Sequence, residues 1–242
     1  MHTRQKIIGG VLSSALIAAG VGALGVSAAA AGGLTTSSVV KSAKLAIAKQ
    51  TSVHVVFVAH SSSPSRTEDI VADVGRASGT EAVTEGKATL DIRLTPTHAY
   101  VSGNADGLTE IFGMSASDAK KVGKYWESWK SGTTQYANLK SDLTMSSVSA
   151  LLPKVKGTTL STVVAGGTTS YALKWTIAAT TSTPQAKNTL TVSSGAVTLP
   201  VKETAVVSTG AMATTSLSAW GEPIAVSVPP SPLTIASSKI SS

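Results

Sequence analysis

The sequence predicts an α+β protein, an antiparallel sheet of many short strands with a group of short helices beside it. Three observations carry this. Residues 51–60 alternate with period two, setting Val53, Val55, Phe57 and Ala59 against His54, Val56, Val58 and His60, so one strand face is wholly apolar. Residues 106–153 change to helical spacing, and after Gly157 the strand period returns. The strand runs follow one another without intervening helices, and parallel crossovers would need them.

The chain opens with MHTRQK, which places Arg4 and Lys6 ahead of an apolar run from Ile7 to about Val26. Ser27, Ala28, Ala29, Ala30 and Ala31 follow with the small side chains that signal peptidase accepts. Residues 1–31 are therefore expected to be a signal peptide cleaved after Ala30 or Ala31. The alternative is an uncleaved anchor, since the run reaches the roughly 20 residues that span a bilayer. Glycines at 9, 10, 20, 22 and 25 favour the processed signal. Either way, Gly33 onward lies outside the cytoplasm.

The elements then read in order. Thr36 or Ser37 can cap a helix running to about Lys49, with Val39, Val40, Ala43, Ile47 and Ala48 at helical spacing. After the strand at 51–60, residues 61–65 form a turn by composition, and strand-like runs follow at 69–76, 87–94 and 98–102. Short helical segments are expected around Leu108, Ile111 and Phe112, over 115–122 with Ser115 and Asp118 resembling a capping box, and over 136–139 and 146–152 ahead of Pro153. An extended piece at 124–130 carries Trp126 and Trp129. Later strands are expected at 168–179, 189–193, 197–201, 204–208 and 213–219. In the first of these, Tyr171, Leu173, Trp175 and Ile177 share one face. Residues 32–228 thus read as one domain, and the Pro/Ser-rich stretch 229–242 as a loose tail.

Composition excludes several classes of function. There is no cysteine, so disulfides, thiolate metal sites and lipidation through a lipobox cysteine are all absent. Removing Arg4 and Lys6 leaves 18 Lys+Arg against 13 Asp+Glu, a net charge of +5. Lys120, Lys121 and Lys124 beside Trp126 and Trp129 could form a cation-plus-stacking platform for nucleic acid. For an exported chain, a solvated helix end followed by core tryptophans is the better reading, and no nucleic-acid partner is expected. Weak attraction to a membrane surface lies between the two.

Catalytic patterns are missing. His54 and His60 lie six residues apart on one strand face, about 20 Å at strand rise, and cannot share a metal. No HxH or HExxH spacing accompanies them or His98. Gly113-Met114-Ser115-Ala116-Ser117 lacks the closing glycine of a nucleophile elbow. Glu68, Asp69, Asp73, Glu81, Glu85 and Asp91 read as solvent-face residues and turn ends rather than as a paired acid and base. No enzyme, metal or cofactor is expected. The apolar sheet face meets few bulky aromatics, so the helices either close a filled core or leave an apolar cavity. The residues alone leave both open.

Four segments occur in an order that resembles a known family. They are TSVHVVFV (51–58), HAYVSGNADGLTEIFG (98–113), GKYWESWK (123–130) and AWGEPIAVSVPP (219–230). The chain resembles the actinobacterial envelope proteins of the LppX/LprAFG type, related in fold to the lipoprotein carrier LolA. The resemblance implies an antiparallel half-barrel with helices on its concave side, enclosing a hydrophobic pocket that accepts lipid or lipoglycan acyl chains. It carries over no polar constellation. Pocket-lining residues are taken from periodicity: Val55, Phe57, Leu90, Ile92, Ile111, Phe112, Tyr171, Leu173, Trp175 and Ile177. Many members are anchored through an acylated cysteine, which this chain lacks. The expectation is a secreted, monomeric, non-catalytic binder or carrier of lipid in the cell envelope. The alternative is a filled-core interaction or sensor module that binds another envelope protein.

Overall fold

The computed structural model describes residues 33–62, 65–181 and 183–240. The leader expectation and residues 63 and 64 of the expected turn lie outside them. No helix among the described residues is long and apolar enough to cross a membrane.

The first helix, α1 (Thr36–Lys49), starts where Thr35 and Ser38 form a reciprocal capping box, one residue ahead of the residues expected to cap it. It buries Val39, Ala43, Ala46 and Ile47, an i, i+4, i+7, i+8 stripe. Five strands then form a meander: β1 (Ser52–Ser62), β2 (Ser65–Gly75), β3 (Gly79–Glu85), β4 (Ala88–Leu94) and β5 (His98–Gly103). The sequence reading lacked β3, because its inward face contains two glutamates, Glu81 and Glu85, that disguise the apolar alternation; Glu81 is buried.

A π-helical turn (Gly107–Ile111), α2 (Ala116–Val122), β6 (Trp126–Lys130), α3 (Thr134–Asp142) and α4 (Met145–Ser149) follow. This matches the expected helical insert. Ser115 accepts from the Asp118 backbone N–H at 3.1 Å and donates to its carboxylate at 2.8 Å. The chain continues through β7 (Thr159–Ala165), β8 (Thr168–Ile177), β9 (Ala186–Ser193), β10 (Pro200–Val207) and β11 (Met212–Ser218). β7 was also absent from the sequence reading. It is an edge strand with most side chains exposed, so it carries no alternation to read. The runs expected as separate strands at 197–201 and 204–208 share one strand, β10, irregular between Pro200 and Lys202.

With a last short strand, β12 (Thr234–Ala236), these strands form one curved, open sheet ordered β12-β6-β5-β4-β3-β2-β1-β11-β10-β9-β8-β7. Pairing is antiparallel except at one edge, where β12 runs parallel to β6. That strand corrects the expected loose tail. Residues 230–240 are docked, and Ile240 is only 2% exposed within the main core. Pro229, Pro230 and Pro232 disguise the strand, which is short enough to fit after them.

The helices cover the concave face of β1–β6. Side chains from that face meet Ile47 of α1, Ala119 and Val122 of α2, Tyr136 and Leu139 of α3, and Met145 and Val148 of α4 in one large apolar cluster. A smaller cluster sits on the other wing, where Leu173, Leu190 and Val192 meet Val39 of α1. Leu152 touches both clusters.

Candidate functional site

Antiparallel register aligns inward-facing side chains in rows across the sheet. One row runs Leu173, Leu190, Glu203, Thr215, Phe57, Ile70, Val83 and Leu90, each opposite the next on the neighbouring strand. Every member is buried. The adjacent row runs Trp175, Asn188, Ala205, Ala213 and Ala59. Here only Asn188 is fully buried, while the tryptophan and the three alanines remain partly exposed. A third row continues with Ile177, Ala186 and Val207.

By register and side-chain size, the middle row reads as a shallow furrow. Alanine at facing positions on three consecutive strands removes side-chain bulk where the flanking rows carry Phe57 on one side and Val207 on the other. From Trp175 to Ala59 the row crosses five strands, about 19 Å at ordinary interstrand spacing. Ala59 and Ala213 lie against the larger cluster and Trp175 against the smaller, so the furrow joins the two apolar regions. Lys174, Lys187 and Lys202 of the same strands are exposed on the opposite face, leaving the furrow without basic residues.

Two carboxamide or carboxyl groups interrupt this apolar surface. Asn188 is 3% exposed, and its Nδ2 meets no acceptor among the described residues. Glu203 is 6% exposed. Burial pushes its carboxyl up from 4.5 to about 7, because an ion is poorly solvated between Leu190 and Thr215.

The ten pocket residues expected from periodicity do not gather in one place. Val55, Phe57, Leu90, Ile92, Ile111 and Phe112 belong to the large cluster, with the Phe112 and Trp129 rings 5.5 Å apart. Tyr171, Leu173 and Trp175 belong to the small one. Ile177 is buried in the row beyond the furrow. Ala172, on the opposite face of β8 from Tyr171, Leu173, Trp175 and Ile177, is also buried. Of the ten, Ile92 alone lines either of two surface concavities. One, of about 330 Å³, lies between the convex face of β2–β4 and Ala225 and Ser227; the other, of about 660 Å³, lies between Gly103–Thr109 and α2. The residues missed by sequence reasoning are Ala59, Ala205, Ala213, Asn188 and Glu203. Their signal, small side chains in register, becomes readable only once the strand order is known.

Other candidate groups are engaged elsewhere. His54 Nδ1 lies 2.8 Å from Asp73 Oδ1, His60 Nδ1 3.1 Å from the Thr67 hydroxyl, and His98 Nδ1 3.1 Å from the Thr97 hydroxyl. Among the described residues, no three His, Asp or Glu side chains stand close enough to hold a metal ion. Glu81, expected on the solvent face, is buried in the inner row between Ala72 and Ile92. Trp129 is buried, and Trp126 stacks under the Arg93 guanidinium at 4.4 Å. Neither ring forms an open stacking surface beside the lysines.

Solved structures that align with the chain include LprF from Mycobacterium bovis, at 14% identity over 80% of this chain and 96% of that one, with a TM-score of 0.49. The Mycobacterium tuberculosis lipoprotein LppX is 15% identical over 79% of this chain and 98% of that one, with a TM-score of 0.45. The LolA superfamily protein NE2245 from Nitrosomonas europaea is 10% identical over 79% and 95%, with a TM-score of 0.28. The LppX/LprAFG and LolA resemblance read in the sequence is met again among these neighbours. No protein-family model matches the sequence, and no curated protein matches it.

Proposed function

We propose that the chain is an exported, non-catalytic envelope protein that binds or carries lipid or lipoglycan acyl chains in the concave furrow of β8–β11 and β1. The observation that carries this reading is the partly exposed row Trp175, Ala205, Ala213 and Ala59, an apolar strip on the inner face between two closed clusters. Its width favours a slender occupant. A furrow made by alanines on adjacent strands takes a chain of methylenes, whereas a helix with its side chains needs about 10 Å. Each buried CH₂ contributes about 0.8 kcal/mol, so a few ordered segments give useful affinity without a covalent step. The protein works as a monomer outside the cytoplasm, with a membrane surface as the source of its lipid.

Native mass spectrometry followed by solvent extraction tests this on the full-length gene product, expressed with its leader in a bacterial host and recovered from medium and envelope. Lipid-sized adducts near one per chain are expected. A bare polypeptide mass that stays bare after incubation with envelope lipids overturns the reading.

One observation favours the second reading, an interaction module for another envelope protein. The β1–β6 half is filled by its helices, and edge strand β7 presents Val164 at 69% exposure on an uncharged, proline-free run. Under that reading an envelope partner co-purifies and is lost on Val164→Lys, while lipid adducts are absent.

A further inference from the structure

We propose that Asn188 is the polar anchor of the furrow, its Nδ2 donating to the ester carbonyl oxygen of an acyl lipid while the neighbouring Glu203 carboxyl bonds a free hydroxyl beside that ester. This rests on the lipid-binding reading and specifies the ligand class, an acyl ester that keeps an unesterified hydroxyl.

The Asn188 carboxamide holds an unmet donor. Nδ2 is buried with no acceptor among the described residues, and a buried amide hydrogen without a partner is destabilising because its lost hydration is not replaced. Its place is specific. Asn188 stands in the furrow row between Trp175 and Ala205, on the face that a ligand in this row would cover. A hydrocarbon would leave that donor unsatisfied; an ester oxygen satisfies it.

Glu203 supplies the second contact. It pairs with Leu190, two residues along β9 from Asn188, so the two side chains are diagonal neighbours on the same face, about 7 Å apart at their roots. That separation suits an ester carbonyl and a hydroxyl on adjacent carbons of one headgroup. No lysine or arginine shares these rows, whose members are otherwise Trp, Leu, Ala, Thr and Phe near this point. The anchor therefore selects a neutral polar head over a phosphate.

The test compares three probes of equal chain length, 1-monopalmitoylglycerol, methyl palmitate and hexadecane, by native mass spectrometry and tryptophan fluorescence on the full-length protein. The expected order of affinity is monoacylglycerol, then methyl ester, then alkane. Asn188→Leu is expected to weaken both esters about tenfold and leave hexadecane unchanged, because replacing an unpaired buried donor by an apolar group is tolerated by the fold. Glu203→Leu weakens monopalmitoylglycerol alone. Asn188→Ala, which removes the donor without adding apolar bulk, must lose ester preference as the leucine variant does. Equal affinity of the wild type for all three probes, or unchanged ester binding in Asn188→Leu, overturns the anchor while the apolar furrow stands. No binding of any probe overturns the furrow reading itself.

Discussion

The Lys121 ammonium donates to the Ile240 carbonyl oxygen at 2.5 Å, tying the C-terminal end of α2 to a residue 119 positions downstream. The Ile240 side chain enters the main core, and β12 pairs alongside β6 a few residues earlier. Ile240→Ala should therefore cost about 2–5 kcal/mol, the usual range for truncating a buried isoleucine. Urea denaturation checks this. A midpoint equal to wild type would mean that the 230–240 segment contributes nothing to the fold.

Gly107 tests the junction between β4 and the π-helical turn. A Cβ there would fall well inside contact distance of the Thr89 carbonyl oxygen and carbon, both backbone atoms that cannot swing aside. Asn104 holds this close approach, accepting from Gly107 N–H at 2.7 Å and from Thr89 N–H at 3.1 Å. Gly107→Ala is expected to lower stability by several kcal/mol, about the range of severe overpacking. A thermal melt within about 2 °C of wild type would refute the close approach.

Glu203 gives the molecule a pH dependence whose sign follows from its raised pKa. Below 4.5 the carboxyl is protonated in both folded and unfolded chains and has no effect. As pH rises from 4.5 through about 7, the unfolded chain releases its proton first, so the native state loses stability; above 7 the loss is complete, of the order of 3 kcal/mol. Glu203→Gln should match wild type near pH 4 and exceed it near pH 8. Asp142, whose carboxyl is also pushed up by burial and partly relieved by the Ser141 hydroxyl, is common to both proteins and cancels in the comparison. Parallel pH–stability curves for the two proteins would show that Glu203 is solvated.

Ala213→Phe probes the furrow without touching its polar groups. Ala213 is partly exposed, so a phenyl ring can occupy the strip instead of being forced into a packed core. Lipid uptake should fall by at least tenfold while the melting temperature changes little. Retained uptake in a folded variant would place the ligand elsewhere. Leu173→Arg, which periodicity alone would suggest for blocking a pocket, is the poorer experiment. Leu173 is fully buried, and an unpaired charge there would unfold the wing.

Much of the fold was legible in local pattern. α1, β1, β4, β5, the helical insert and β8 follow from apolar period, capping residues and turn composition, all short-range properties. The failures were also physical. β3 hides behind Glu81 because a buried carboxylate breaks the alternation, β7 has no buried face to mark, and β12 follows a proline cluster that reads as a tail.

The candidate site was legible only in part. Of the furrow row, period selected Trp175 alone; the same rule selected Phe57, Leu90, Ile92, Ile111 and Phe112, which belong to the large cluster, and Ile177, which lies one row beyond. Periodicity reports which face a side chain takes and says nothing of what covers that face. By itself, the sequence determined the absence of cysteine chemistry, the alternating strands and the short helices, because composition and local period are carried by neighbours along the chain. Only the tertiary structure decided that Ala59, Ala205 and Ala213 stand side by side, with Asn188 and Glu203 next to them, because β11 pairs with β1 across more than 150 residues and register between distant strands is set by packing rather than by local sequence.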